Sequence, residues 1–371
     1  MTAGTAARRT QAWLADGREI IYFDDTPDAP PRTVRDSRDL GPRAAAGHVR
    51  YDSLVGDWVA VAGHRMNRTF LPPRTECPLC PTGRGAMPSE VPDADYDVVV
   101  FENRFPSYAP VADEATVGEG PFQQAPALGR TEVVCFTSDH EASFASLPPQ
   151  RVRTVVDAWA DRTAALQADP DIEHVFCFEN RGQEIGVTLH HPHGQIYGYP
   201  YVPTRTREIL DRAQEHHDTT GHLLGADILS AEQADGSRVV LTTEHWTAYV
   251  PFAARWPLEV HVAPHRDVPD LVALDGVERD DLAALYLDLL ARLDRFHVTE
   301  DGDPITLPYI AAWHQAPARV GRDVSRLHLQ VMSVLRGPGK LKYLAGSESG
   351  VGGWVNDAHP EAVAERLRGL A

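Results

Sequence analysis

Three histidines and a glutamine fall within the six residues HHPHGQ, positions 190–195, with only proline and glycine between them. An imidazole is nucleophilic at neutral pH without first losing a proton, and it can form a covalent phosphoramidate with a phosphoryl centre. His193 is the candidate for that role. The Gln195 amide can donate to a phosphate oxygen, but it cannot act as an acid or base near neutrality. A histidine nucleophile beside a group that does not titrate is poorly equipped to deprotonate water. The pair therefore points to transfer onto an acceptor that brings its own nucleophilic oxygen, such as a second phosphate. A hydrogen-bonded histidine pair in a polar core fits the same residues.

The elements around this motif must position it. The run over about 189–198 reads as a strand, which places His191, His193 and Gln195 on one face and His190, Pro192 and Gly194 on the other. Gly194 leaves room for a bulky group to approach the backbone. The segments VGDWVAVAG, DYDVVVFEN, RTEVVCFTSDH and DIEHVFCFENRG read as further strands. PPQRVRTVVDAWADRTAALQ has the proline start and apolar spacing of an amphipathic helix, and TRTREILDRAQEHHD reads as another.

The second half echoes the first. TTEHWTAYVPFAARWPLEVHVAP repeats the early strand pair, DLAALYLDLLARLDRFH the helix, PYIAAWHQAP the strand HVFCFENRG, and SRLHLQVMS the histidine strand. In the last pairing Arg326, His328 and Gln330 match His191, His193 and Gln195, so only the first copy keeps the full set. The pattern predicts an α+β fold, with two related halves in one large, mostly antiparallel sheet and helices packed on it. The expected division is an N-terminal arm with the first strands over 1–50, a first half over 51–200 and a degenerate second half over 201–371.

Composition narrows the partners. The 371 residues, 43% of them hydrophobic, supply an ample core, and the net charge of −18 argues against nucleic acid as a bulk partner. A small phosphorylated substrate needs only a local cationic pocket. No run approaches the roughly 18 apolar residues of a membrane span, and the N-terminal residues lack the apolar stretch of a secretory signal. The cytoplasm is the expected location. Only two of the 35 basic residues are lysines, Lys340 and Lys342, both in GPGKLKYLAGSESG. Cys135 and Cys177 lie in apolar strands, whereas Cys77 and Cys80 form CPLC in a loop rich in proline and glycine. That spacing suits half of a tetrahedral zinc site and needs two further ligands; a reduced pair without metal is the alternative.

HPHGQ, preceded by CPLC, FENRFP, SDH and FENRG and followed by KYLAGSE, resembles the galactose-1-phosphate uridylyltransferases, a branch of the histidine triad superfamily. The likeness runs from about residue 17 to the C-terminal ERLRGL. It implies a ping-pong reaction in which His193 takes UMP from UDP-glucose and passes it to galactose 1-phosphate, with Gln195 on the transferring phosphoryl group. It further implies phosphate contacts from Arg65 and Arg68, uridine contacts from Asn103 and Phe105, and phosphate or sugar contacts from Asn180 and Thr188. Lys342, Tyr343, Ala345 and Glu348 match a loop that closes on the hexose. The resemblance implies a homodimer with shared active sites.

The resemblance also supplies the two missing zinc ligands, His140 and His191, and makes that zinc structural. Some relatives hold a second metal with three histidines and a carboxylate. Here His314 and His328 remain, Gln330 replaces the third histidine, and Ile209 stands at the acidic position beside Glu208, so no second metal is expected. Arg104 departs from the acidic residue that several relatives carry near the uracil. Two other functions compete: a nucleotide phosphorylase or hydrolase of the same superfamily acting on an ADP-sugar or dinucleoside polyphosphate, and a zinc-dependent binding module without catalysis.

Overall fold

The computed structural model describes residues 7–43, 45–63, 71–83, 87–115, 118 and 120–370. The first half contributes β1 (Arg8–Trp13), β2 (Glu19–Asp24), β3 (His48–Asp52), β4 (Asp57–Val61), β5 (Val98–Glu102), β6 (Gln124–Pro126), β7 (Arg130–Cys135), α1 (Pro149–Gln167), β8 (His174–Arg181) and β9 (His193–Tyr199). Two helices follow, α2 (Thr204–Thr220) and α3 (Leu224–Asp235). The second half contributes β10 (Val239–Thr242), β11 (Trp246–Tyr249), β12 (Leu258–Pro264), α4 (Gly276–Leu293), β13 (Tyr309–His314), β14 (His328–Ser333), a short hairpin of β15 (Leu335–Gly337) and β16 (Lys340–Leu341), α5 (Gly346–Val351) and α6 (Pro360–Arg368).

Eleven strands form one sheet in the order β1-β2-β5-β7-β9-β8-β13-β14-β12-β11-β10. Every neighbouring pair in it is antiparallel. Four strands on either side of the β8–β13 seam correspond in order. Outward from that seam, β9 mirrors β14, β7 mirrors β12 and β5 mirrors β11. The internal repeat in the sequence therefore becomes a two-fold arrangement within one continuous sheet, the α+β fold expected.

One face is covered by α1 and α4. Pro149 opens α1, where its missing N–H costs nothing, and Val152, Val155, Val156, Trp159 and Leu166 recur at helical spacing and are buried. In α4 the Asp275 carboxylate accepts from the Glu278 N–H at 3.0 Å, and the Glu278 side chain accepts from the Asp275 N–H at 2.9 Å. The apolar faces of both helices and the inward strand residues form one core that runs across the seam. A buried ion pair pins α1 to β7: Arg162 donates to both carboxylate oxygens of Glu132, at 3.0 and 2.8 Å. Burial works against the Glu132 charge, but Arg162 and Arg130 hold its carboxyl below the usual range. No helix among the described residues is long and apolar enough to cross a membrane.

The opposite face is left open in the middle of the sheet. There β9 presents His193, Gln195, Tyr197 and Tyr199, all partly exposed, while Gly194, Ile196 and Gly198 point into the core. A small sheet of β4-β3-β6 lies outside the main one; its strand β4 falls in the run VGDWVAVAG expected as a strand, whereas β3, β6 and α3 were not anticipated from the sequence.

Two details of the motif differ from the expectation. The strand begins at His193, so His191 lies before it, and Pro192 breaks the alternation that would have put both imidazoles on one face. The space at Gly194 faces the core. A Cβ there would lie 2.8 Å from both the Phe136 ring and the Phe178 carbonyl oxygen, so the glycine permits close packing of the sheet rather than approach of a ligand.

Candidate active site and metal centre

Four side chains from three segments converge beneath the start of β9. Cys77 and Cys80 follow a single 3-10 turn at Arg74–Glu76, His140 lies in the loop after β7, and His191 precedes β9. All four are buried, and one donor atom from each lies within 4.8 Å of the others. Cys80 Sγ is 3.3 Å from His140 Nδ1 and 3.5 Å from His191 Nδ1. The far nitrogen of His191 is already engaged. Its Nε2–H faces the Thr137 carbonyl at 2.8 Å and the Tyr96 hydroxyl oxygen at 2.8 Å, while that hydroxyl donates to the Leu79 carbonyl at 3.0 Å. This fixes the tautomer with the Nδ1 lone pair turned toward the thiols, as a metal-ligating histidine requires. Burial pushes the Cys80 thiol up to about 12 and the His191 imidazole down to about 3. Two thiols and two imidazoles form a group able to hold a metal ion. Cys135 and Cys177 are free and buried in the sheet.

The cluster is joined directly to His193. The His193 Nδ1–H donates to the His191 carbonyl at 2.7 Å, which leaves Nε2 as the unprotonated nitrogen. Burial lowers the affinity of this ring for a second proton, and the bond to His191 opposes that only in part. A neutral imidazole with a free Nε2 lone pair at the open face is a nucleophile in its reactive form.

Gln195 stands two residues on along the same face, between Val133 of β7 and Phe178 of β8. Asn180 joins it: Glu179 pairs with Gly194, so Asn180 is next along β8 and on the face that carries Phe178 and Gln195. The sequence reading missed the aromatic floor here. Tyr197 packs edge-on against Phe178 at 5.3 Å and against Tyr108 at 6.1 Å, and Tyr108 continues to Tyr199 at 5.1 Å. The alternation of GQIYGY from His193 onward was the available signal.

Other predicted contacts are placed as follows. Asn103 closes a turn after β5, its side-chain oxygen accepting from the Phe105 N–H at 2.8 Å, and the Phe105 ring is partly exposed. Arg104 lies 3.9 Å from Glu90, which Arg18 also binds, at 2.6 Å. The Thr188 carbonyl accepts from the Leu71 N–H at 2.8 Å, tying the cysteine loop to the segment before β9. His190 is exposed, with Gln183 at 3.5 Å. Arg65 and Arg68 lie outside the described residues. Lys342 is buried with its ammonium on the Val355 carbonyl and 3.4 Å from Glu348, and Ala345 and Tyr343 are exposed. Within one chain, Lys342 and Glu348 thus satisfy each other and do not meet β9 through any of these bonds. His314 and His328 stack at 4.8 Å and line a cavity in the second half.

Comparison with known proteins agrees with this geometry. Residues 39–203 match the family model described as galactose-1-phosphate uridyl transferase, N-terminal domain, and residues 208–371 match its C-terminal domain. The chain is 45% identical to the galactose-1-phosphate uridylyltransferase of Streptomyces lividans over 98% of both proteins. It is 34% identical to the enzyme of that name from Thermotoga maritima, over 86% of this chain and 97% of that one. A solved uridylyltransferase structure superposes with a TM-score of 0.76 at 31% identity, covering 87% of this chain and 98% of the other.

Proposed function

The chain belongs to the galactose-1-phosphate uridylyltransferase family, and from that membership and the setting of His193 we propose that it transfers UMP from UDP-glucose to galactose 1-phosphate. The products are glucose 1-phosphate and UDP-galactose, a step of galactose metabolism. His193 Nε2 attacks the α-phosphorus of UDP-glucose. The bond from that phosphorus to the bridging oxygen breaks, and its electron pair leaves with glucose 1-phosphate. A phosphate oxygen of galactose 1-phosphate then attacks the uridylyl phosphorus, and the P–N pair returns to Nε2.

The observation that carries this reading is the 2.7 Å bond from His193 Nδ1 to the His191 carbonyl. It commits the proton to Nδ1, aims Nε2 at the open face, and places a carbonyl dipole against the ring when the covalent stage makes it cationic. Gln195 donates to a non-bridging oxygen of the transferring group and offers no base to activate water. Arg65 and Arg68 supply positive charge to the phosphates, Asn103 and Phe105 hold the uridine, and Asn180 and Thr188 contact phosphate or sugar.

Cys77, Cys80, His140 and His191 hold zinc, which organises the cysteine loop and keeps the His191 backbone still. Thiolate and imidazole donors in a closed set of four suit tetrahedral Zn²⁺. The active protein is a cytoplasmic homodimer, in which Lys342, Tyr343, Ala345 and Glu348 of one copy close over the hexose bound by the other. The exposed Tyr343, Leu344, Val351 and Val355 give that loop an apolar surface suited to a partner.

Intact mass after exposure to UDP-glucose without acceptor tests the reaction. A gain of one UMP, absent in His193→Ala, is the expected result. Unmodified protein under rapid quench, with turnover of ADP-glucose instead, would assign the chain to the phosphorylase branch.

A further inference from the structure

The second half carries its own polar pair on the open face. His328 and Gln330 occupy alternate positions on β14 as His193 and Gln195 do on β9, and His314 of β13 stands beside His328 as Asn180 of β8 stands beside His193. Above them α2 and α3 enclose a cavity of about 890 Å³. Sites for small ligands typically span ~300–1,000 Å³, so this space is large enough for a phosphorylated sugar or nucleoside.

The buried polar groups at its floor are tied to one another. The Glu259 carboxylate accepts from the Arg255 and Trp256 N–H groups at 2.6 and 3.2 Å, from the Gln330 amide at 2.6 Å and from His261 at 3.2 Å. Gln330 Oε1 in turn accepts from His314 Nε2 at 2.9 Å. These donors are spent laterally and do not converge on a point; among the described residues, the cysteine cluster is where metal-ligating atoms gather.

Four charged groups at this cavity form no ion pair among the described residues: the carboxylates Glu208 and Asp211, and two arginines, one of which, Arg255, lies over the Trp354 ring at 5.4 Å. Arg205, in the first turn of α2, and Arg255, in the loop before β12, both line the cavity, and neither forms an ion pair among the described residues. Among the described residues, the Arg205 guanidinium makes one hydrogen bond, a long 3.4 Å contact to Gln330 Oε1. Burial and then the charge on Arg255 hold Arg205 below its ordinary value, and Glu259 and Glu208 only partly offset them. Two guanidiniums without ion pairs on a roomy cavity, with apolar walls at Ile209, Leu224 and Ile228, suit an anion that carries an apolar portion.

We propose that this cavity is a second ligand site, binding a phosphate monoester of a nucleoside or sugar. The phosphate lies at Arg205 and Arg255, and the remainder of the ligand lies against the helix walls. The site is separate from His193 and stands on the second half alone.

Calorimetric titration of the intact protein with AMP and with inorganic phosphate tests it. Both probes are expected to bind, and AMP more tightly. Arg205→Ala should weaken AMP at this site by about tenfold or more. Ile228→Trp, a change at an exposed wall residue that fills the cavity without touching the core, should do the same, while His193→Ala leaves the site intact. The proposal is overturned by an absence of saturable AMP binding up to about 1 mM, or by equal affinity and stoichiometry in wild type, Arg205→Ala and Ile228→Trp. Uptake of a second equivalent of Co²⁺ that is lost in His314→Ala would also overturn it, by making the cavity a cation site.

Discussion

The carbonyl oxygen of His191 lies 2.7 Å from Nδ1 of His193, while the His191 ring faces Cys80. One residue thus touches both the cysteine–histidine cluster and the nucleophile, through different atoms. His193→Ala should abolish UMP transfer, by about 10³-fold or more, yet leave Tm and metal content near wild type, because among the described residues its ring bonds to a backbone carbonyl and to no metal-ligating side chain. Metal analysis alongside the transfer assay checks this; loss of metal in His193→Ala would show that the two functions are not separable at this position.

Removing the metal should act at a distance. Chelation, or Cys77→Ser, is expected to lower Tm by several degrees and to reduce transfer, although the cysteines act through His191 and not on substrate. The lost step should be uridylylation itself, since the His191 carbonyl is no longer held in place. Restoring one equivalent of Zn²⁺ to the chelated protein should recover both properties. Full activity at unchanged Tm after verified metal loss would contradict the arrangement.

Gly194→Ala tests the packing behind the nucleophile. The added methyl meets the Phe136 ring and the Phe178 carbonyl at 2.8 Å. Overpacking of this kind costs ~1–3 kcal/mol, and the strand must shift between His193 and Gln195 to relieve it. Urea denaturation and kcat should fall together. A variant with wild-type stability would mean that the core on that side yields more readily than its geometry suggests.

Glu179 gives a pH signature. It is buried beneath the seam, where burial pushes its carboxyl up to about 7, against the Tyr309 hydroxyl that donates to it at 2.9 Å and the nearby Arg181. The folded protein therefore holds this proton more tightly than the unfolded chain. Its contribution is most favourable below the unfolded value near 4.5 and declines as pH rises to about 7, by roughly 3 kcal/mol in all. Glu179→Gln removes the titration. Denaturation of both proteins across pH 4–8 should show the variant gaining stability relative to wild type over that window; a constant difference would refute the shift.

Much of this site could be read in the letters. Helix α1 and strands β8 and β9 have strong periodicity, and the repeat of HVFCFENRG in PYIAAWHQAP marked the pair that meets at the seam. CPLC announced half of a metal site by spacing alone, but His140 is far along the chain and came only with the family pattern. Alternation placed Gln195 correctly and His191 incorrectly, because Pro192 ends the extended run and lets the earlier imidazole swing inward. Helix α3 was passed over because alanines, glycine and acidic residues blur its apolar face. Strand β6, QAP, is too short to carry any pattern. The cavity beside His328 depends on how α2 and α3 lie over the sheet, which no local spacing encodes.

The β8–β13 seam has a mechanical consequence. Successive backbone hydrogen bonds run across it, and the helices behind share a single core. The two halves are therefore welded, and they cannot open and shut like jaws around a ligand. Whatever gates either cleft must be a peripheral loop, or a second molecule, moving over a stationary plate.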